Sequence, residues 1–289
     1  MSSAIEWPLH PRAGARAAAW IVRHPGLALA AAYLILNVVA AVFPAWLTHY
    51  DPLAADPVSA ELGSSAEHWL GTDQLGRDVL ARVIYGARYS LSISVAAIAV
   101  ASLAGTALGL LAGLARGGLD ELITRLLDVV SAFPELLLAL VLIAFTGRGA
   151  ANLMLALGIA AIPNFARVVR AQTFIVSESG YVEQARALGL APWRLVWRHV
   201  LPHAVAQVPV LATMGLGTVI IGTSGLSFLG MGPQPPNPEW GLMLADGRNY
   251  LYDAWWISVW PGLAITLAVI AVNALGAYWQ AHFDGREVR

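Results

Sequence analysis

The chain contains no lysine and no cysteine, and all 17 basic residues among its 289 are arginine. Without lysine there is no Walker A site, whose lysine reaches the β and γ phosphates of ATP, and no Schiff-base chemistry. Without cysteine there is no disulfide, thiol nucleophile or cysteine-type zinc or iron–sulfur centre, and the redox compartment leaves no mark on the sequence. Charge is scarce as well: 12% of residues, against 58% hydrophobic and a mean hydropathy of +0.64. Such a balance excludes an ordinary soluble domain and points to an integral membrane protein. His199 and His203 stand four apart, but Pro202 intervenes and no carboxylate occupies a ligand-like interval, so they make no metal site. No Ser-His-Asp set and no glycine-rich phosphate loop is present. Neither catalysis nor a cofactor is expected in this chain, nor is a nucleic-acid partner.

Six apolar segments can be drawn, at about 25–47, 89–115, 122–145, 152–169, 204–229 and 255–279. Each is near the roughly 20 residues that a helix rising about 1.5 Å per residue needs to cross a core of about 30 Å. The first follows Arg12, Arg16 and Arg23, but it is too long for a signal-peptide core and lacks a convincing cleavage site, so it reads as a retained anchor. With both ends placed in the cytoplasm, 12 arginines lie inside and five outside: Arg77, Arg82, Arg88, Arg148 and Arg248. That split follows the positive-inside rule.

Between the fourth and fifth segments lies a polar island at 181–202, which this orientation puts in the cytoplasm. Ser177 or Ser179 can cap a short helix with Glu178 and Glu183 in its early turns, and Gly189 can end it in a left-handed conformation. Pro192 suits the first turn of a second helix carrying Arg194 and Arg198, with His199 capping its end. Two short helices meeting at a glycine make a compact knob. The competing reading is an amphipathic helix lying on the headgroups, which Trp193, Trp197 and the arginines would also suit.

Two external stretches stand out. The first, 68–78, reads His-Trp-Leu-Gly-Thr-Asp-Gln-Leu-Gly-Arg-Asp; the second, 225–241, reads Gly-Leu-Ser-Phe-Leu-Gly-Met-Gly-Pro-Gln-Pro-Pro-Asn-Pro-Glu-Trp-Gly. In the second, Pro233, Pro235, Pro236 and Pro238 fix φ and remove donors, giving a stiff ledge able to gate a pathway or receive a soluble protein. Alternatively it is a structural turn whose Trp240 anchors at the interface. In the first, Asp73 and Asp78 are expected to pair with Arg77, Arg82 or Arg88 on the surface, where such a pair contributes only about 0–1 kcal/mol.

Glu183, Ala185, Gly189 and the closing Leu201-Pro202, together with the two external stretches, resemble the permeases of dipeptide, oligopeptide and nickel ABC importers (DppC/OppC type). The likeness runs from about residue 68 to 274. It implies an all-α membrane protein of six transmembrane helices with a type-I ABC importer (MetI-like) transmembrane domain at 88–279. Around this would lie a tail at 1–24, a first helix at 25–47, an extracytoplasmic loop at 48–87 and a tail at 280–289. It implies a multi-pass protein of the bacterial cytoplasmic (inner) membrane. Its partners would be a homologous second permease, two ATPase subunits and an extracytoplasmic binding protein, and it would take up peptides by alternating access.

The 177–203 loop is then the EAA coupling loop. Glu183, Ala185, Arg186, Gly189, Arg194, Leu201 and Pro202 are expected at the ATPase contact, and Pro235, Pro236, Pro238, Glu239 and Trp240 at an external gate or dock. Gln184 replaces the first alanine of the EAA core, His199 replaces the usual isoleucine, and the segment after Gly276 lacks the frequent acidic residue.

Within the fifth segment Thr213, Thr218, Thr223 and Ser224 add polar atoms without charge and are taken as pathway lining. Gly105, Gly109 and Gly113, spaced by four, allow close helix approach within the subunit or across a seam. Asp128 and Glu135 lie seven apart in the third segment and are expected on one helix face, kinked by Pro134 and neutralised by Arg125 or a neighbouring subunit. A proton or cation path through them, as in an ion-coupled secondary transporter, is the alternative from a different class.

Overall fold

The computed structural model describes residues 22–283, so most of the N-terminal tail and the last six residues, with Arg12, Arg16, Arg286 and Arg289, lie outside the described region. Among the described residues the structure is helical, with one isolated bridge between Thr72 and Asp78. Helix α1 spans Pro25–Val42. Its last carbonyls are capped from a distance: the Arg88 guanidinium donates to Ala41 O at 2.6 Å and to Val42 O at 3.0 Å.

Helix α2 spans Val79–Ala115 and starts earlier than the apolar run. Asp78 is its N-cap, accepting from the Ala81 amide at 2.6 Å. At about 1.5 Å per residue it is about 55 Å long, well beyond a core of about 30 Å, and Arg82 and Arg88 lie in its first turns, ahead of the apolar run.

Helix α5, Ala150–Ser177, lies along α2. Gly158 meets Ala97 and Val100, Gly105 meets Ile162 and Phe165, Gly109 meets Ala166 and Arg170, and Gly113 meets Thr173. A Cβ at Gly109 would sit 2.4 Å from the Ala166 carbonyl oxygen. The glycine stripe is therefore a seam within this subunit, and because partner numbers rise together the two helices are parallel.

The third apolar segment is not one straight helix. Helix α3, Gly118–Ser131, and helix α4, Glu135–Thr146, meet at 91°. Pro134 cannot extend α3, and the chain turns far more sharply than a proline kink. Asp128 and Glu135 thus sit on different helices and share no face. The expected partner is corrected too: Asp128 pairs with Arg167 at 3.0 Å, while Arg125 pairs with Glu121.

After α5 come the short helices α6 (Gly180–Ala187), α7 (Pro192–Leu195) and α8 (Leu201–Ala204), then α9 (Val208–Phe228), α10 (Trp240–Gly247) and α11 (Trp256–Phe283). Helices α1, α2, α5, α9 and α11 are each long and apolar enough to cross a membrane, and the bent α3–α4 pair makes a sixth candidate if taken as one span. The main core lies where α2, α4, α5 and α9 meet, around Ile143, Leu153, Leu157, Phe165 and Val219. A second core joins α1, α2, α10 and α11 around Ala40, Ala87, Trp240 and Ala268. Helix α1 runs antiparallel to α11: His24 packs on Tyr278 with ring centroids 5.8 Å apart, and the Tyr33 hydroxyl donates to Ala264 O at 3.0 Å.

Candidate functional site: a helical knob, a buried clasp and a polar face

The 181–202 island folds as two short helices at a glycine. Helix α6 ends in a Schellman motif: the Leu190 amide donates to Ala185 O at 3.2 Å and the Gly189 amide to Arg186 O at 3.0 Å. Gly189 has φ of +81°, a conformation glycine adopts without Cβ strain. Ser179 is the N-cap by position, but its hydroxyl donates back to Val176 O rather than accepting from the helix.

Helix α7 opens with Pro192 and does not end at His199. The chain passes through a π-helical turn, Val196–Val200, into α8, with the Leu201 amide donating to Val196 O. The wider turn lets the chain remain helical up to Pro202, which has no amide hydrogen to give. His199 is therefore internal and caps nothing with its ring; its carbonyl is paired with His203 Nδ1 at 3.1 Å.

Val176, Val182, Leu195 and Val200 form a small apolar core beneath the knob, with Leu110, Leu114, Ala185 and Leu190 packed against it. What remains outside is apolar and basic together. Leu188 is 88% exposed, Trp193 63% and Trp197 67%, alongside exposed Glu183, Arg186, Arg194 and Arg198.

The 68–78 stretch overturns the surface-pair reading. Asp73, Arg77, Asp78 and Arg82 are all buried. Asp73 accepts from the Leu75 and Arg77 amides at 2.9 and 3.0 Å and from Arg77 Nε at 2.6 Å, while Arg82 Nε lies 3.3 Å from it. Arg82 Nη1 donates onward to Pro52 O at 3.0 Å and Pro236 O at 3.4 Å. Thr72 ties in Leu62 and Ser59, and its carbonyl accepts from the Trp256 indole at 3.0 Å. The stretch is thus a clasp joining the 48–78 loop, the start of α2, the proline ledge and the start of α11. Breaking a buried ion pair costs about 3–5 kcal/mol, so charge carries this motif as well as shape. Asp246, on α10, faces the same cluster, and burial pushes its carboxyl above the usual range against the pull of Arg82 and Arg77.

In the ledge, Pro235 and Pro236 are exposed whereas Pro238, Glu239 and Trp240 are buried. Trp240 is not an interface anchor: its indole donates to Val83 O at 2.9 Å in the core. Glu239 caps α10, accepting from the Gly241 and Leu242 amides at 3.0 and 2.8 Å and from the Ser90 hydroxyl at 3.0 Å. Burial holds its carboxyl above the usual range despite these donors. Ser94 extends the network to Thr223 at 3.2 Å. Ser90 and Ser94 carry no local sequence signal, since their partners are remote in the chain.

Of the residues taken as pathway lining, Thr223 and Ser224 are buried between helices, Thr213 is half-buried with its hydroxyl on Pro209 O, and Thr218 is exposed. Thr218 opens into a cavity of about 390 Å³ that also receives Glu135, Asn164 and Arg167. Among the described residues no group of three or more His, Cys, Asp or Glu is arranged to hold a metal ion.

Residues 105–289 match the family described as binding-protein-dependent transport system inner membrane component. The chain is 41% identical over 254 residues to the glutathione transport system permease protein GsiD of Pectobacterium atrosepticum, covering 86% of this chain and 84% of that protein. It is 38% identical over 251 residues to the dipeptide transport system permease protein DppC of Alkalihalophilus pseudofirmus, covering 87% and 81%. Among solved structures, a chain of the MetNI methionine ABC transporter aligns with a TM-score of 0.57 at 18% identity, over 68% of this chain and 94% of that one, a likeness of fold.

Proposed function

The chain belongs to the family of binding-protein-dependent transport system inner membrane components, and from this membership as an ABC importer permease subunit we propose that it admits peptides by alternating access. In this reading it pairs with a homologous permease, takes substrate from an extracytoplasmic binding protein and is moved by two ATPase subunits. Both termini lie in the cytoplasm, in keeping with the arginine distribution. Relatives named for dipeptide and glutathione transport support a peptide substrate over nickel or another small solute.

The observation that carries the coupling role is the exposed apolar surface of the knob on its own buried core. A soluble-facing segment that leaves Leu188, Trp193 and Trp197 open, flanked by Glu183, Arg186 and Arg194, has the composition of a docking surface for another protein. ATP-driven closure of the ATPases would draw on this knob and rock the attached helices. On the opposite side, Pro235 and Pro236 would form the ledge that gates or docks, with Pro238, Glu239 and Trp240 rooting it. Thr213 and Thr218 would meet the pathway in this arrangement, and Thr223 and Ser224 only if the helices around them part.

Gly189→Pro tests the coupling assignment. Proline fixes φ near −65°, which cannot replace +81°, and removes the amide that donates to Arg186 O. Transport should be abolished while membrane insertion remains. Normal uptake by this variant would sink the assignment.

A further inference from the structure

Charged and amide side chains that are exposed along membrane-spanning helices cannot face lipid without a cost of several kcal/mol, and they face water or protein instead. One such face exists here, made by α3, α4, α5 and α9. On it Asp128 is neutralised by Arg167 at 3.0 Å, and Arg167 also donates to the Ser131 hydroxyl at 2.8 Å. Among the described residues Glu135 has no such partner. It is half-buried at the start of α4, just past the 91° break, and lines the cavity of about 390 Å³ with Asn164, Phe165, Arg167, Leu211 and Thr218. Asn164 is exposed, and among the described residues no hydrogen bond engages its amide. The cavity therefore offers a carboxylate with no ion-pair partner beside an amide and a hydroxyl, while Arg167, the guanidinium on its wall, is already held by Asp128.

We propose that Glu135 is a cation-recognising residue of the pathway, receiving the protonated amino group of a substrate in this cavity, with Asn164 and Thr218 completing its hydrogen bonds. The inference rests on the peptide-importer reading above, because it is the free amino terminus of a peptide that supplies the ammonium. Asn164 and Thr218 suit an ammonium, which has three hydrogens to give and one carboxylate to meet. Leu211 and Phe165 exclude water around the contact and strengthen it. Recognition here is transient, since a site that conducts must also release.

The test uses the complete transporter, with its second permease, ATPases and binding protein, in liposomes, and reads dipeptide uptake per ATP hydrolysed. Glu135→Gln is expected to lower that ratio about tenfold and Glu135→Asp to restore most of it. Equal ratios for wild type and Glu135→Gln would overturn the site. If Glu135→Gln does not assemble, Asn164→Arg, which adds to the cavity a second guanidinium with no Asp128 to hold it and able to occupy Glu135, should give the same loss; an undiminished ratio then overturns it. A wild-type transporter that takes up no dipeptide would instead remove the substrate reading, a failure visible before any variant is made.

Discussion

Glu239 has no exposed surface, and its carboxylate holds three donors from two helices: two amides of α10 and the hydroxyl of Ser90 on α2. Alanine would orphan all three, so Glu239→Ala should destabilise the protein by about 2–4 kcal/mol, read as a lower melting temperature in detergent. Because burial raises its carboxyl in the folded state, the proton is held more tightly folded than unfolded. Its contribution is then greatest below the ordinary glutamate range, falls as pH rises through that range to the folded value, and is flat above it. Glu239→Gln should flatten that decline in a pH series of melting temperatures; an unaltered slope would show that another group sets it. This residue was legible only as part of a stiff loop. The chain partner that decides its role is remote, and the same holds for Arg82, whose burial depends on the carbonyls of Pro52 and Pro236.

At the scale of elements, local signals read well where the element is decided locally. Gly189 and Pro192 mark the end of one helix and the start of the next because φ and amide chemistry act within a turn. The knob was legible for that reason, and so was the glycine stripe. What the stripe packs against was open until α5 was seen along it. Gly109→Val should therefore act inside the subunit, forcing α2 and α5 apart at a cost of about 1–3 kcal/mol and lowering thermal stability before any partner is added. Loss of subunit association with unchanged stability of the isolated chain would contradict this. The α3–α4 break shows the opposite case. Pro134 signalled a bend but not its size, and the side chains that meet α3 beside it, Arg167 and Arg170, come from the remote α5. They hold α3 through Asp128 and through a bidentate contact to Asp120 at 2.5 and 2.7 Å.

For the molecule as a whole, the lack of cysteine becomes an experimental advantage, since any introduced thiol is unique. Val58 is 92% exposed on the first loop and Leu188 88% exposed on the knob. In intact cells a membrane-impermeant maleimide should label Val58→Cys, whereas Leu188→Cys should react only after the membrane is opened. The reverse pattern would invert the orientation drawn from the arginines.

The parallel run of α2 beside α5 settles something further. Two neighbouring helices that point the same way oblige the chain between them to travel back to its starting side. That return, at 116–149, is made by the bent pair, which carries the chain back along the length of α2 to the level where α5 begins. His24 beside Tyr278 closes the circuit: the start of α1 and the end of α11 meet at one end of the helix bundle, so a pull on either is felt by the other.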